Sequence, residues 1–99
     1  MKAKLIVAAI ALTIAACAEK KPTTSGIDGK KIYKQNCVLC HGADGKLGAN
    51  GSKDLTKSIL TLDEKKAIIK NGKGKMIGLG GILNAEEIEA VALFTQKLK

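Results

Sequence analysis

The sequence predicts an all-α fold with three main helices, on three observations. Thr61-Leu62-Asp63-Glu64 reads as a capping box, with a threonine at the N-cap and a glutamate at N3. Asn84 and Glu87 stand in the same relation, followed by an apolar stripe of Ile88, Val91, Phe94 and Leu98. No stretch alternates apolar and polar residues over a useful length, so strands of substance are not expected.

The first helix is expected from Ile27 or Asp28 to about Cys37, with Asp28 as its cap, Ile32 and Tyr33 as its apolar residues, and Lys30, Lys31 and Lys34 on the polar side. Residues 42–52 hold glycines 42, 45, 48 and 51 with Asp44 and Asn50, a loop composition. The second helix should run from Thr61 through Ala67, Ile68 and Ile69 and stop at Asn71-Gly72. Residues 72–81 form a second glycine-rich loop. The last helix starts at Asn84, with acids near its positive end and Lys97 and Lys99 at its negative end.

With 99 residues the chain holds one small domain at most. Residues 1–16 read as an export signal. Lys2 and Lys4 form a basic start, and Leu5 to Ala16 is apolar apart from Thr13. That run is too short to span a bilayer, which needs roughly 20 residues. Ile14-Ala15-Ala16-Cys17 resembles the lipobox of bacterial lipoproteins, which implies that Cys17 is acylated and becomes the first mature residue. The plainer alternative is cleavage after Ala16 that leaves a free thiol. Residues 17–26 would be a polar tether, and residues 27–99 the folded domain.

The formal net charge is +8, carried by lysine alone, with no arginine. The charge stays positive when Lys2 and Lys4 leave with the signal. It points to acidic partners or anionic surfaces. Nucleic acid is not expected, because the chain is exported and no aromatic stacking platform accompanies the charge. The mature chain has one Phe, one Tyr and no Trp. A core that small commonly needs a staple.

Cys37-Val38-Leu39-Cys40-His41 supplies the staple. Cysteines at i and i+3 lie about one helical turn apart, so both sulfurs can meet the two vinyl groups of one porphyrin. His41 follows directly and can reach the iron from the same face. This is the covalent haem attachment pattern. A thioredoxin-like pair would need a strand before the motif and a βαβ unit around it. A structural zinc site would need a fourth ligand, and His41 is the only histidine in the chain.

With these residues in view, residues 27–99 resemble a small class I c-type cytochrome. Gly29-Lys30-Lys31-Ile32-Tyr33 looks like that family's N-terminal helix, in which a glycine and an aromatic pack on the C-terminal helix, here at Val91 and Phe94. Asp54-Leu55 is similar to the family's G-P-x-L segment. Gly72-Lys73-Gly74-Lys75-Met76 resembles the loop that carries a distal methionine. Two positions depart from the pattern. Lys53 stands where a proline often supplies the carbonyl that orients the proximal histidine, and Ile77 stands where a proline often follows the methionine.

The resemblance implies one covalently attached haem c, with Cys37 and Cys40 as thioethers and with His41 and Met76 as proximal and distal axial iron ligands. Met76 is also the only methionine left once the signal is removed, and it sits in a loop with no apolar stripe to join. Lys73 and Lys75 could replace it only when deprotonated. Leu55, Ile59, Ile68, Leu79, Ile82 and Leu83 are candidates for the apolar wall, with Leu55 counted among the cofactor-binding residues.

The expected function is electron transport without catalysis. A periplasmic or otherwise extracytoplasmic carrier would be held to a membrane by its lipid, pass single electrons between redox proteins with acidic docking surfaces, take no small-molecule substrate and work as a monomer. Two alternatives stand beside it: a cytochrome subunit docked permanently in an oxidoreductase complex, and a gas sensor or enzyme with an open iron site. Against the last, no distal His or Arg is present to handle protons.

Overall fold

A computed structural model describes residues 26–99. The signal segment, Cys17 and almost all of the tether lie outside those residues. Asp28 caps α1 (Gly29–Asn36), its carboxylate accepting from the amides of Lys30 and Lys31. The helix stops one residue short of expectation. Cys37 is a joint, and a single turn, α2 (Val38–His41), follows it. The glycine loop then runs through two 3-10 turns, Ala49–Gly51 and Leu55–Lys57.

Both predicted capping motifs are formed as reciprocal boxes. In α3 (Leu62–Asn71) Thr61 Oγ1 accepts from Glu64 N and Glu64 Oε1 accepts from Thr61 N. In α4 (Ala85–Thr95) Asn84 and Glu87 do the same. Each box satisfies amide donors that a helix start leaves unpaired. The last helix ends at Thr95, so Lys97 and Lys99 lie beyond it rather than in its final turn.

The helical architecture matches expectation, with one addition. Gly72–Lys73 (β1) and Met76–Ile77 (β2) pair antiparallel, in the register Gly72 with Ile77 and Lys73 with Met76. Gly72 leaves α3 at φ 83°, a conformation that favours glycine. The second glycine loop is therefore a small hairpin that presents Met76.

The core lies where α4 crosses α1 and α3. Ile32, Tyr33, Ile69, Leu79, Leu83, Ile88, Ala90, Val91 and Ala92 form one buried cluster. Gly29 makes the α1–α4 crossing possible, because a Cβ there would run into the Ala90 carbonyl and crowd Phe94 Cβ. The Tyr33 and Phe94 rings meet at 5.1 Å between centroids, tilted by 49°. The α4 residue directly beneath Gly29 is thus Ala90, while Val91 is fully buried in the cluster.

Candidate functional site

The attachment motif spans the joint between α1 and α2. Cys37 N donates to the Tyr33 carbonyl at 2.8 Å and His41 N to the Cys37 carbonyl at 2.9 Å, so helical hydrogen bonding continues through the joint. Cys37 and Cys40 are therefore one turn apart, and both are half-buried free thiols. Burial pushes the Cys37 thiol up to about 11, with Cys40 adding to the shift. The Cys37 thiol therefore stays protonated at neutral pH.

The His41 ring is held from one side. Its Nδ1 lies 3.0 Å from the Lys53 carbonyl oxygen. A carbonyl only accepts, so Nδ1 must carry the proton, and the lone pair is left on Nε2. The loop between them closes tightly, with Leu47 N donating to the His41 carbonyl at 2.9 Å and Leu55 N to the Gly45 carbonyl at 2.9 Å. Tyr33 secures the same turn from α1, its hydroxyl donating to the Gly42 carbonyl at 2.6 Å. Sequence patterning offered no signal for that bond, since it joins a core aromatic to a glycine's backbone.

Met76 is half-buried on β2 and packs against the same core cluster as Cys37, Val38 and Leu55. The structure thus brings the attachment cysteine, Leu55 and the methionine to one body of apolar side chains. Of the other wall candidates, Leu79 and Leu83 are buried and Ile68 is half-buried. Ile59 and Ile82 are 94% and 67% exposed and lie outside the buried cluster of protein side chains. Both sit in connecting segments, outside any helix face that would turn them inward.

Among the described residues no group of three or more His, Cys, Asp or Glu side chains is arranged to hold a metal ion. A helix precedes the motif where a thioredoxin-like fold would need a strand. The donor set fits haem c instead: two thiols one turn apart, an imidazole with Nε2 free, a thioether on a hairpin and apolar packing beside them. One-electron exchange at iron is the chemistry that haem supplies.

Comparison with known proteins agrees. The family described as "Cytochrome C oxidase, cbb3-type, subunit III" matches residues 25–94. Cytochrome c6 of Leptolyngbya boryana is 36% identical over 67% of this chain and 84% of its own length. The cbb3-type cytochrome c oxidase subunit FixP of Bradyrhizobium diazoefficiens is 35% identical over 78% of this chain but only 30% of its own length. Among solved structures, KustC0563 c-type cytochrome superposes with a TM-score of 0.68 and 26% identity, covering 74% of this chain and 99% of that one. The chain belongs to the c-type cytochromes: it has the class I fold, carries one covalently bound haem c and is a small electron carrier.

Proposed function

We propose that this cytochrome is an exported, membrane-tethered one-electron shuttle with His/Met ligation. Cys37 and Cys40 would form the thioethers, His41 Nε2 and Met76 Sδ would ligate the iron, and Leu55 would belong to the apolar wall. The observation that carries this reading is the His41 ring, whose Nδ1 proton is committed to Lys53 O so that Nε2 is the free donor. A soft thioether favours the ferrous state, so Met76 raises the potential. Two strong axial ligands leave no site for a substrate. Haem held in this way would exchange single electrons with no bonds made or broken, and the protein's work is to bind, orient and tune it.

Optical spectra of both oxidation states test the ligand set. Wild type should be six-coordinate and should not bind carbon monoxide when reduced, whereas Met76→Ala should bind it and show a lower potential. Carbon monoxide binding by reduced wild type would refute Met76 ligation and favour an open site.

Export and tethering are supported by the Lys2-to-Cys17 pattern and by the polar residues after it. Among the described residues no helix is long and apolar enough to cross a membrane. Cys17→Ser should release a soluble monomer with an unchanged spectrum and potential. Membrane retention of that variant after high-salt washing would refute the lipid anchor. Lys30, Lys31, Lys34, Lys73 and Lys75 are all exposed and would meet an acidic patch on the redox partner. A second reading, a subunit docked permanently in an oxidoreductase, is favoured by the family description and the FixP match. Mild detergent extraction separates the two, giving either a free small protein or a stoichiometric complex.

A further inference from the structure

Tyr33 is 1% exposed, and its ring packs on Phe94 in the cluster between α1 and α4. A phenylalanine would fill the same space without burying a hydroxyl, and a buried hydroxyl is costly unless it is hydrogen-bonded. This one is bonded to the Gly42 carbonyl at 2.6 Å. Gly42 directly follows His41. Residues 42–57 make their other hydrogen bonds among themselves, to the residue that follows them or to α2. Among the described residues the Tyr33 hydroxyl is thus the one hydrogen bond that ties this loop to α1, α3, α4 or the hairpin.

The far end of the loop holds the imidazole. His41 is fixed at three points: its amide donates to the Cys37 carbonyl at 2.9 Å, its carbonyl accepts from Leu47 N at 2.9 Å, and its Nδ1 meets the Lys53 carbonyl at 3.0 Å. The first bond belongs to the helical turn. The other two depend on the path of the loop, and that path is set where Gly42 leaves α2 at φ 82°. The Gly42 carbonyl accepts there from Gly45 N at 3.2 Å as well as from the phenol. Lys53 lacks the fixed φ that a proline would bring to the loop, so an anchor from outside matters more.

We infer that the Tyr33 hydroxyl is a positioning group for His41: by anchoring the Gly42 carbonyl to α1 it holds the loop that brings the Lys53 carbonyl to Nδ1. The inference rests on His41 as the proximal iron ligand. A carbonyl that shares the Nδ1 proton makes the imidazole a stronger donor through Nε2. A stronger donor favours ferric iron, so the Tyr33 bond lowers the reduction potential. Tyr33 acts through Gly42 and Lys53 and is not itself bonded to the His41 ring.

The test uses holoprotein. In reduced wild type the His41 ring protons should carry the upfield ring-current shift of an iron-bound imidazole. The Tyr33 ring should give a nuclear Overhauser contact with the Gly42 α-protons. Tyr33→Phe keeps the aromatic ring and removes the hydroxyl. It should keep the optical spectrum, exchange its His41 Nδ1 proton with solvent faster, and shift the potential upward. Phe94→Leu loosens the packing of Tyr33 but keeps the hydroxyl, and should leave potential and proton exchange in place. An unmoved potential and exchange rate in Tyr33→Phe would overturn the inference. So would a Phe94→Leu shift as large as that of Tyr33→Phe, which would assign the effect to packing. Absence of the Tyr33–Gly42 contact in wild type would overturn it without any variant having to fold. Absence of the ring-current shift at His41 would remove the ligand assignment and the inference together, whereas a shifted His41 with an unmoved Tyr33→Phe removes the inference alone.

Discussion

His41 Nδ1 sits 3.0 Å from the carbonyl oxygen of Lys53, a residue twelve positions further along the chain. The position often held by proline in this family keeps its task with a lysine, because the hydrogen bond needs only a backbone carbonyl. What changes is stiffness. Lys53 can sample backbone conformations that a proline could not, and that freedom is lost on folding.

Lys53→Pro should therefore be tolerated and stabilising. Ser52 already has φ −62° and ψ 143°, the extended geometry that a residue before proline prefers. The Lys53 amide donates to no acceptor among the described residues. We expect a gain of about 0.4–1 kcal/mol in denaturant unfolding of the holoprotein, with the haem spectrum unchanged. A loss of stability would mean that the Lys53 backbone requires a φ that proline cannot adopt.

Gly29→Ala tests the α1–α4 crossing. Alanine is the better helix former by roughly 0.5–1 kcal/mol, so an open site would be stabilised. Here the new methyl meets the Ala90 carbonyl, and backbone cannot move aside as a flexible side chain would. Overpacking of this kind costs about 1–3 kcal/mol and should win. Gly81, whose Cβ would meet nothing within contact range, serves as the control, since its Ala variant should change stability far less.

These two sites show what could be read from sequence. Capping at Thr61 and Asn84 is local chemistry within four residues, and it formed as expected. Gly29, Tyr33 and Phe94 carried the helix crossing through the resemblance. The Met76 hairpin was missed because two-residue strands are too short to show alternation. Burial of Ala90 and Ala92 was missed because alanine is neutral in a hydrophobic stripe. Burial of the Lys65 stem was missed because a charged residue carries no weight in an apolar stripe. Its spacing of four from Ile69, on the face that also carries Leu62, was the available signal.

Tyr33 predicts an alkaline loss of stability. Burial, then the neighbouring Cys37 thiol and Asp44, push its hydroxyl up to about 12 from an ordinary value near 10. The thioether proposed at Cys37 would remove that residue's contribution in the holoprotein, and burial remains. A raised pKa on an acid means that the folded state keeps the proton longer than the unfolded state. The stabilisation is complete below pH ~10 and is lost as pH rises from ~10 toward ~12. Tyr33→Phe should lower stability at neutral pH by about 0.5–1.5 kcal/mol, through loss of the bond to Gly42 O. Its stability curve should fall less over the alkaline window. Lysines titrate there in both proteins, so the difference between the two curves isolates the phenol. Parallel curves would show that the hydroxyl titrates alike in both states.

Encounter with the redox partner should be electrostatic, and the hairpin indicates where. Lys73 pairs directly across from Met76, and residues opposite one another on a ladder project to the same face. Lys73 and Lys75 are exposed while Met76 is half-buried, so two solvent-facing charges flank the methionine in the hairpin. Attraction between exposed charges is screened as the Debye length shrinks from about 10 Å at 0.1 M salt to about 3 Å at 1 M. The bimolecular electron-transfer rate with the natural partner should fall steeply over that range. Lys73→Glu with Lys75→Glu should lower it again at low salt and flatten the salt dependence. Neither lysine packs in the core, so the haem spectrum should not move. Stopped-flow rates at graded ionic strength decide the matter. A flat profile for wild type would assign the lysines to solubility, and a changed spectrum in the double variant would show that they hold the Met76 loop in place.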